Sequence, residues 1–511
     1  MEGRRLIVLM VAGAMSQYFA KVQGMPKQVE SRLQKRIKHF LWAEREKVRI
    51  NEATIMASKE QGGQNLLDIA ARNKAIAIMW LKSYLNFGVD RPMWAFVANR
   101  LIASASTAKE KNIDDDIKIN LFLQTWNTKK QSLPDDLENM ISIATKYRVR
   151  LEGRAFARNI LRQMPIWFHI QSNEIRKYNH GRESHCLRAN HKIKTVGKME
   201  NLALCLQDPN HKNRRDCRCE NCKSARDIVG CKNPHKCFVR AHKLLACLPD
   251  KWNPMKAQPE DYENIENNAG GLNIARNVQI FNHRISITGS LSDAFRIFTD
   301  GDVCNETPQI SWNPPGIDTT QIQVFTDGSC TNNGDENAKA GAGIFIAKND
   351  SRNRDIRILN ELEQTNQTGE IIAIKEAAEI LDKNSELLIV SDSETTINAA
   401  IKNRHRFEDR GWIGIKNNLE LQVMISRLLE CNTKTSLKWI KGHSGITGNE
   451  EADKAAERGS KKIDGSDMID LTIPSPLRLT GIKLNKITQS LAYKAIRIQK
   501  TEKTRYQQDL D

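Results

Sequence analysis

The alternation of hydrophobic and polar positions is most regular between residues 321 and 462. Gln321-Ile322-Gln323-Val324-Phe325 alternates polar and apolar residues, the period of a strand with one covered face. Asp327-Gly328-Ser329 ends it with turn chemistry. Ala342–Ala347 and Ile356–Leu362 read as two further strands joined by turn-rich segments, an antiparallel meander. A helix follows, with Thr365 or Asn366 as its cap and Ile371, Ile374, Ala378 and Leu381 as its buried stripe. Leu387-Leu388-Ile389-Val390 is a continuous apolar run, the pattern of a parallel strand covered on both faces. Helices around Thr395–Ile401 and Asn417–Leu429, a strand at Ser436–Ile440 and a helix from Gly448 complete the region. The fold class predicted here is α/β, a mixed five-stranded sheet with flanking helices.

Four acids fall at informative places in that pattern. Asp327 and Asp392 lie at strand carboxyl ends, where ligands gather in open sheets. Glu370 sits in the first turn of its helix, and Glu370 and Asp453 would both approach the cleft from helices. Singly, each has an ordinary reading: a turn, a dipole-compensating acid, an N-cap. Together, four carboxylates in one cleft cannot all stay ionised without a cation, because like charges raise one another's pKa. Hard oxygen ligands select Mg²⁺ or Mn²⁺ over zinc.

The contexts Phe325-Thr326-Asp327-Gly328-Ser329, Thr368-Gly369-Glu370, Val390-Ser391-Asp392-Ser393 and Lys441-Gly442-His443-Ser444-Gly445 through Asp453 resemble type 1 ribonuclease H over residues 321–462. The resemblance implies a ribonuclease H-like fold and Mg²⁺-dependent cleavage of the RNA strand of RNA–DNA hybrids, with Mn²⁺ able to substitute. Two ions about 3.5–4 Å apart would clamp an in-line displacement. Asp327 would bridge them, Glu370 and Asp392 would complete one shell, and Asp453 would hold the other ion. His443 would shuttle a proton or assist product and metal release. Cys330 and Asn333 would contact the hybrid backbone and 2′-hydroxyls. Asn366 and Gln367 would read the minor groove, and Thr365 with Asn449 would hold a DNA phosphate. Trp412 resembles an aromatic of the DNA channel, with a core role an equal alternative. Glu363 departs from the pattern, standing where a basic phosphate contact would be welcome. The segment Arg404–Trp412 is also much shorter than the basic protrusion of some cellular members.

Before residue 321 the periodicity is helical. Leu6–Met15, after Arg4-Arg5, mimics a signal peptide, but the pattern runs on through Tyr18 and Phe19, and a buried helix is the reading favoured. Val29, Leu33, Ile37, Phe40 and Leu41 form a helical stripe, and a further helix runs through Asn73, Ala77, Trp80 and Leu81. That order resembles the part downstream of the palm in non-LTR (LINE-like) reverse transcriptases. Asp114-Asp115-Asp116 has no partner motif upstream and reads as a solvated acidic turn, not a palm carboxylate site. Residues 1–165 are assigned to this mainly helical region. Residues 253–320, with Asn253-Pro254 and Asn313-Pro314-Pro315, read as a linker holding one short structured segment at Ala294–Phe298. Residues 463–511 read as a Pro-containing linker and a basic amphipathic helix over Leu479–Ile498, docking or phosphate-binding.

Residues 166–252 carry a basic Cys/His tract. From Lys212 to Lys251 there are eleven Lys or Arg against four Asp or Glu. Cys217, Cys219, Cys222, Cys231, His235 and Cys237 are soft ligands enough for one tetrahedral Zn²⁺ with residues to spare. The alternative is a set of unligated thiols packed in helices. The segment resembles a Cys-rich element of fungal retroelement proteins.

Composition narrows the partners. The net charge of +17 over 511 residues favours nucleic acid over small acidic substrates. No apolar run reads as long enough to span a membrane, so no membrane partner is expected. Eleven cysteines without a secretion signal point to an intracellular protein of nucleus or cytoplasm. The chain thus reads as the carboxyl-terminal part of a retroelement protein without its polymerase core. Its alternatives are a catalytically silent nucleic-acid-binding relic, and a transposase or Holliday-junction nuclease on the same fold.

Overall fold

Amphipathic helices dominate the first 250 residues of the chain. A computed structural model describes residues 2–42, 50–57, 59, 62–108, 113–259, 277–308, 321–463 and 469–508. The early helices are α1 (Glu2–Gln23), α2 (Lys27–Leu41), α3 (Ile69–Tyr84), α4 (Met93–Ser104) and α5 (Asp135–Lys146). Asp68 starts α3: its carboxylate accepts from the Ala71 N–H at 2.9 Å, satisfying one of the helix's unpaired donors. Ala75, Ile78, Leu81 and Tyr84 then line up at helical spacing and are fully buried. The tract after them holds the short strand β1 (Arg150–Leu151) and helices α6 (Arg182–Ala189), α7 (Val196–Leu204), α8 (Glu220–Asp227) and α9 (Pro234–Ala246). Asn233 caps α9, and Pro234 occupies its first turn, where a missing N–H costs nothing.

One sheet organises the C-terminal part. It contains β2 (Val278–Ile280), β4 (Gln321–Thr331), β5 (Lys339–Phe345), β6 (Arg354–Arg357), β7 (Glu386–Ser391) and β8 (Thr435–Trp439), in the order β2-β8-β7-β4-β5-β6. β4, β7 and β8 are mutually parallel, and the other pairings are antiparallel. The flanking helices are α10 (Asn366–Ile380), α11 (Glu394–Ile401), α12 (Arg404–Asp409), α13 (Asn418–Leu429) and α14 (Thr447–Lys461). A Cβ built at Gly328 meets the backbone of Asn366 at 2.5 Å, whereas one at Gly341 or Gly343 meets the backbone of α14. Gly328 and Gly343 sit at adjacent register positions of paired strands, so α10 and α14 cover opposite faces.

Several expectations are corrected. Among the described residues the sheet has six strands, not five, because β2 comes from the segment read as a linker and pairs with β8. Phe281 beside it is fully buried, so its apolar side chain, not its turn-rich neighbours, decides its place. In the same segment, β3 (Phe295–Ile297) joins β1 and β9 (Ile482–Lys483) in a second, three-stranded sheet. Asn313-Pro314-Pro315 lies outside the described residues. β6 stops at Arg357, five residues earlier than its apolar pattern suggests.

The last helix, α15 (Gln489–Gln508), begins ten residues after its expected start, since Ile482–Lys483 form a strand and residues 484–486 a turn. It packs on α3 through Leu491, Ala492, Ala495 and Ile496. Tyr493 accepts from the Asp68 N–H at 3.0 Å, and Lys500 pairs with the Asp68 carboxylate at 3.0 Å. This helix therefore closes the N-terminal core.

The first helix also departs from expectation. α1 is long and apolar enough to cross a membrane by length and composition. It is not the buried helix its pattern suggested: Met10, Met15, Tyr18 and Val22 are exposed, while Val8 and Ala20 are buried. Its apolar residues run around the helix, which among the described residues meets α2 and α3.

Candidate active site

Strand register brings the two aspartates together. Thr326 of β4 pairs with Ser391 of parallel β7, so Asp392, just past the end of β7, lies beside Asp327, which is not at its strand's end as expected but inside β4. Glu370 reaches them from the first turns of α10, whose close approach requires the hydrogen-only positions Gly328 and Gly369: a Cβ on Gly369 would meet the Gly328 Cα at 2.9 Å. Thr365 sets the helix start, its Oγ1 accepting from the Thr368 N–H at 3.2 Å. Asp327, Glu370 and Asp392 each offer an oxygen within 4.8 Å of the others. Asp453 lies outside that trio, on the α14 side, close enough to act electrostatically on Asp327.

The cleft disfavours negative charge. Burial pushes the Asp327 carboxyl up to about 7, with Asp392 and Asp453 adding to the rise. Its Oδ1 accepts from the Gly328 N–H at 2.7 Å, which opposes that shift. Glu370 is raised well above the usual range by burial first, then by Asp327 and Asp392. The Ser391 hydroxyl lies 3.5 Å from Glu370 Oε2. The Trp439 indole N–H donates to the Asp392 carbonyl at 3.0 Å and ties β8 to the site's rim. A divalent cation fits this donor set, since it would remove the repulsion that burial amplifies and since the donors are hard oxygens.

The other expected residues are distributed around this centre. His443 is exposed in the loop before α14, in left-handed backbone at φ 51°. Gly442 brings that loop against Asp392, where an added Cβ would come to 2.6 Å from Oδ2. Cys330 is half-buried and donates its thiol to the Gln364 carbonyl at 3.3 Å. Asn333 is exposed in the β4–β5 turn, and Asn366 is exposed at the start of α10. Gln367 donates its amide to Thr396 Oγ1 at 2.7 Å. Asn449 is buried in the first turn of α14, with its Oδ1 lacking a hydrogen-bond partner. Trp412 is a core residue, buried at 6% exposure and packed on Phe407.

The Cys/His tract is rearranged relative to expectation. Its six expected ligands do not surround one point. Cys217, Cys219 and Cys222 gather around His211, whereas Cys231 and Cys237 gather with Cys186 and His191. His235 belongs to neither set, and its Nδ1 lies 3.0 Å from His211 Nε2. Cys186, His191 and His211 were missed. Only the Cys186-x4-His191 spacing and the position of His211 six residues before Cys217 signalled them. Asp114 caps a turn in which Asp115 pairs with buried Lys118 at 2.8 Å.

Comparison with known proteins bears on residues 319–461, which match the family model described as RNase H. Ribonuclease H1 of Rattus norvegicus is 34% identical over 149 residues, covering 28% of this chain and 52% of that protein. Ribonuclease H of Methylococcus capsulatus is 31% identical over 151 residues, 29% of this chain and 94% of that protein. The chain thus spans about half the length of the rat relative and nearly all of the bacterial one. The solved structure of LC9-RNase H1, a type 1 RNase H with the type 2 active-site motif, aligns at 22% identity. That alignment covers 29% of this chain and 74% of the other, with a TM-score of 0.24.

Proposed function

The chain belongs to the ribonuclease H family through residues 319–461, and on that premise we propose that it hydrolyses the RNA strand of RNA–DNA hybrids. The observation that carries this reading is the convergence of Asp327, Glu370 and Asp392, two of them buried, with oxygens within 4.8 Å. Asp327, Glu370, Asp392 and Asp453 would hold divalent cations, Mg²⁺ or Mn²⁺, which polarise the scissile phosphate and lower the pKa of water. Burial of Asp327 and Glu370 weakens the screening of their charge by solvent. His443, on an exposed loop beside Asp392, would move a proton at the rim. Asn366 and Gln367 would read the hybrid's minor groove, and Cys330 and Asn333 would contact its backbone and 2′-hydroxyls. Thr365 and Asn449 would hold a DNA phosphate; Asn449 is buried, and its Oδ1 lacks a hydrogen-bond partner.

The products would be RNA with 5′-phosphate and 3′-hydroxyl ends. Incubating the full chain with end-labelled hybrid, duplex DNA and duplex RNA, with Mg²⁺ or EDTA, tests this directly. Cleavage is expected only of the RNA in the hybrid and only with the metal. A chain that binds hybrid but never cuts it would instead be the silent relic.

The wider context is also a proposal. The helical N-terminal order and the Cys-rich tract support descent from a retroelement polyprotein of the LINE-like, non-LTR kind. Eleven free cysteines support a reducing, intracellular location, nuclear or cytoplasmic. The net charge of +17 supports binding of further nucleic acid outside the cleft. Imaging of a tagged full-length chain checks the location, and fractionation with membranes would count against it.

A further inference from the structure

We propose that the Cys/His tract holds two structural zinc ions, one in Cys186/His191/Cys231/Cys237 and the other in His211/Cys217/Cys219/Cys222. This inference is independent of the nuclease reading.

The geometry of the second set carries the most weight. Three thiol sulfurs face a single imidazole nitrogen: Cys217, Cys219 and Cys222 Sγ lie 3.7, 3.5 and 3.4 Å from His211 Nδ1. One ring nitrogen has one lone pair, so it cannot hydrogen-bond to three thiols at once. A shared cation explains the arrangement. With Zn–S about 2.3 Å and Zn–N about 2.0–2.1 Å, a tetrahedron requires S···N edges of about 3.6 Å and S···S edges of about 3.8 Å. In the first set Cys186 and Cys231 sulfurs are 3.8 Å apart, and Cys231 and Cys237 sulfurs 3.5 Å. His191 Nε2 there is buried without a hydrogen-bond partner.

The surroundings also suit thiolate ligands. The Lys212 N–H donates to Cys217 Sγ at 3.1 Å. Cys219 is the N-cap residue of α8, Cys222 lies in that helix's first turn, and Cys237 lies in the first turn of α9, where helix dipoles favour negative sulfur. His211 Nε2, 3.0 Å from His235 Nδ1, can donate there, which leaves Nδ1 free for a metal and fixes the ring. Cys217 and Cys222 are fully buried, and Cys231 and Cys237 nearly so. The two sets interleave in sequence, since residues 211–222 lie between His191 and Cys231. Two ions would therefore cross-link α6, α8 and α9.

The test uses the full chain, expressed with zinc, purified without chelators and dialysed against excess Mg²⁺. Elemental analysis should find two zinc per chain. X-ray absorption at the zinc edge should show an average shell of three sulfurs and one nitrogen. Cys222→Ser and Cys237→Ser should each retain one zinc, and the double variant none. If a variant fails to fold, the count and shell of the unaltered chain still decide. One zinc or none in that chain, iron in its place, or a shell rich in oxygen would overturn the proposal.

Discussion

Asp327 sits in a cleft that opposes its charge, and that has a measurable sign. Its folded pKa is about 7, against about 3.9 for an unfolded aspartate. Between those values the folded chain keeps a proton that the unfolded chain has released, so stability falls as pH rises from about 4 to about 7. Asp327→Asn removes that penalty. In magnesium-free buffer the variant should melt higher than the parent at pH 8 and converge with it near about pH 4. The same change should lower hybrid cleavage by at least about 10²-fold. Near-parental cleavage would sink the metal-site reading. Asn366 and Gln367 make a second test. Asn366 is exposed, whereas Gln367 is tied to Thr396. Changing both to Ala should reduce hybrid cleavage roughly ten- to a hundredfold, since each lost hydrogen bond is worth about 0.5–1.5 kcal/mol. The salt slope of binding should stay put, because no cation is removed. A flatter slope in a binding titration would place these amides outside the substrate groove.

At the scale of elements, the site depends on how closely two helices approach the sheet. Gly341 and Gly343 of β5 let α14 lie with its backbone directly on the strand, and Gly459 does the same toward Ile356. A Cβ at position 343 meets the Ala452 carbonyl and the Ala456 nitrogen, neither of which is a flexible side chain. Gly343→Ala should therefore push α14 away. Overpacking of this kind costs about 1–3 kcal/mol. Because Asp453 rides on α14, cleavage should fall more than stability does. Urea unfolding alongside cleavage rates checks this. If stability and cleavage are both unchanged, the helix is not held where the strand puts it.

At the scale of the molecule, a buried charge cluster joins the two parts. Glu408 of α12 accepts from Arg154 at 2.7 Å and from Arg404 at 3.1 Å, while Arg296 donates to its backbone carbonyl. Arg154 also donates to the Leu477 carbonyl at 2.6 Å, Arg296 to that of Thr480 at 2.8 Å, and Arg404 to that of Asn282 at 2.6 Å. The neighbouring guanidiniums hold Glu408 well below the usual carboxylate range against the opposing effect of burial. A depressed folded pKa means stability that is present above about 4.3, the unfolded value, and lost as pH falls through the folded one. Glu408→Gln strands buried cations and should cost about 3–5 kcal/mol at neutral pH. The variant should also lose less stability on acidification than the parent. Denaturant unfolding of both chains across the acid range measures this, and superimposable curves would show that the cluster does not join the parts.

The sequence by itself determined what repeats locally. Period-two alternation marked β4, the unbroken apolar run marked β7 as a parallel strand, and Thr365 or Asn366 marked the start of α10, because each signal lies within a few adjacent residues. Glu370 was legible in the first turn of its helix and Asp392 just past a strand end, whereas Asp327, expected where its strand stops, lies inside β4, which runs on to Thr331 because β5 pairs with it that far. Tertiary structure decided what depends on partners distant in the chain. β2 became a strand because β8 offered an open edge, and Phe281 because a core lay beside it. Trp412 became a core residue through Phe407. α15 was drawn onto α3, some four hundred residues earlier in the chain. The cysteines divided into two sets because helices α6, α8 and α9 converge, bringing Cys186 and His191 beside Cys231 and Cys237. Spacing counts residues along the chain, whereas ligation is set by distance in space, and only packed helices relate the two.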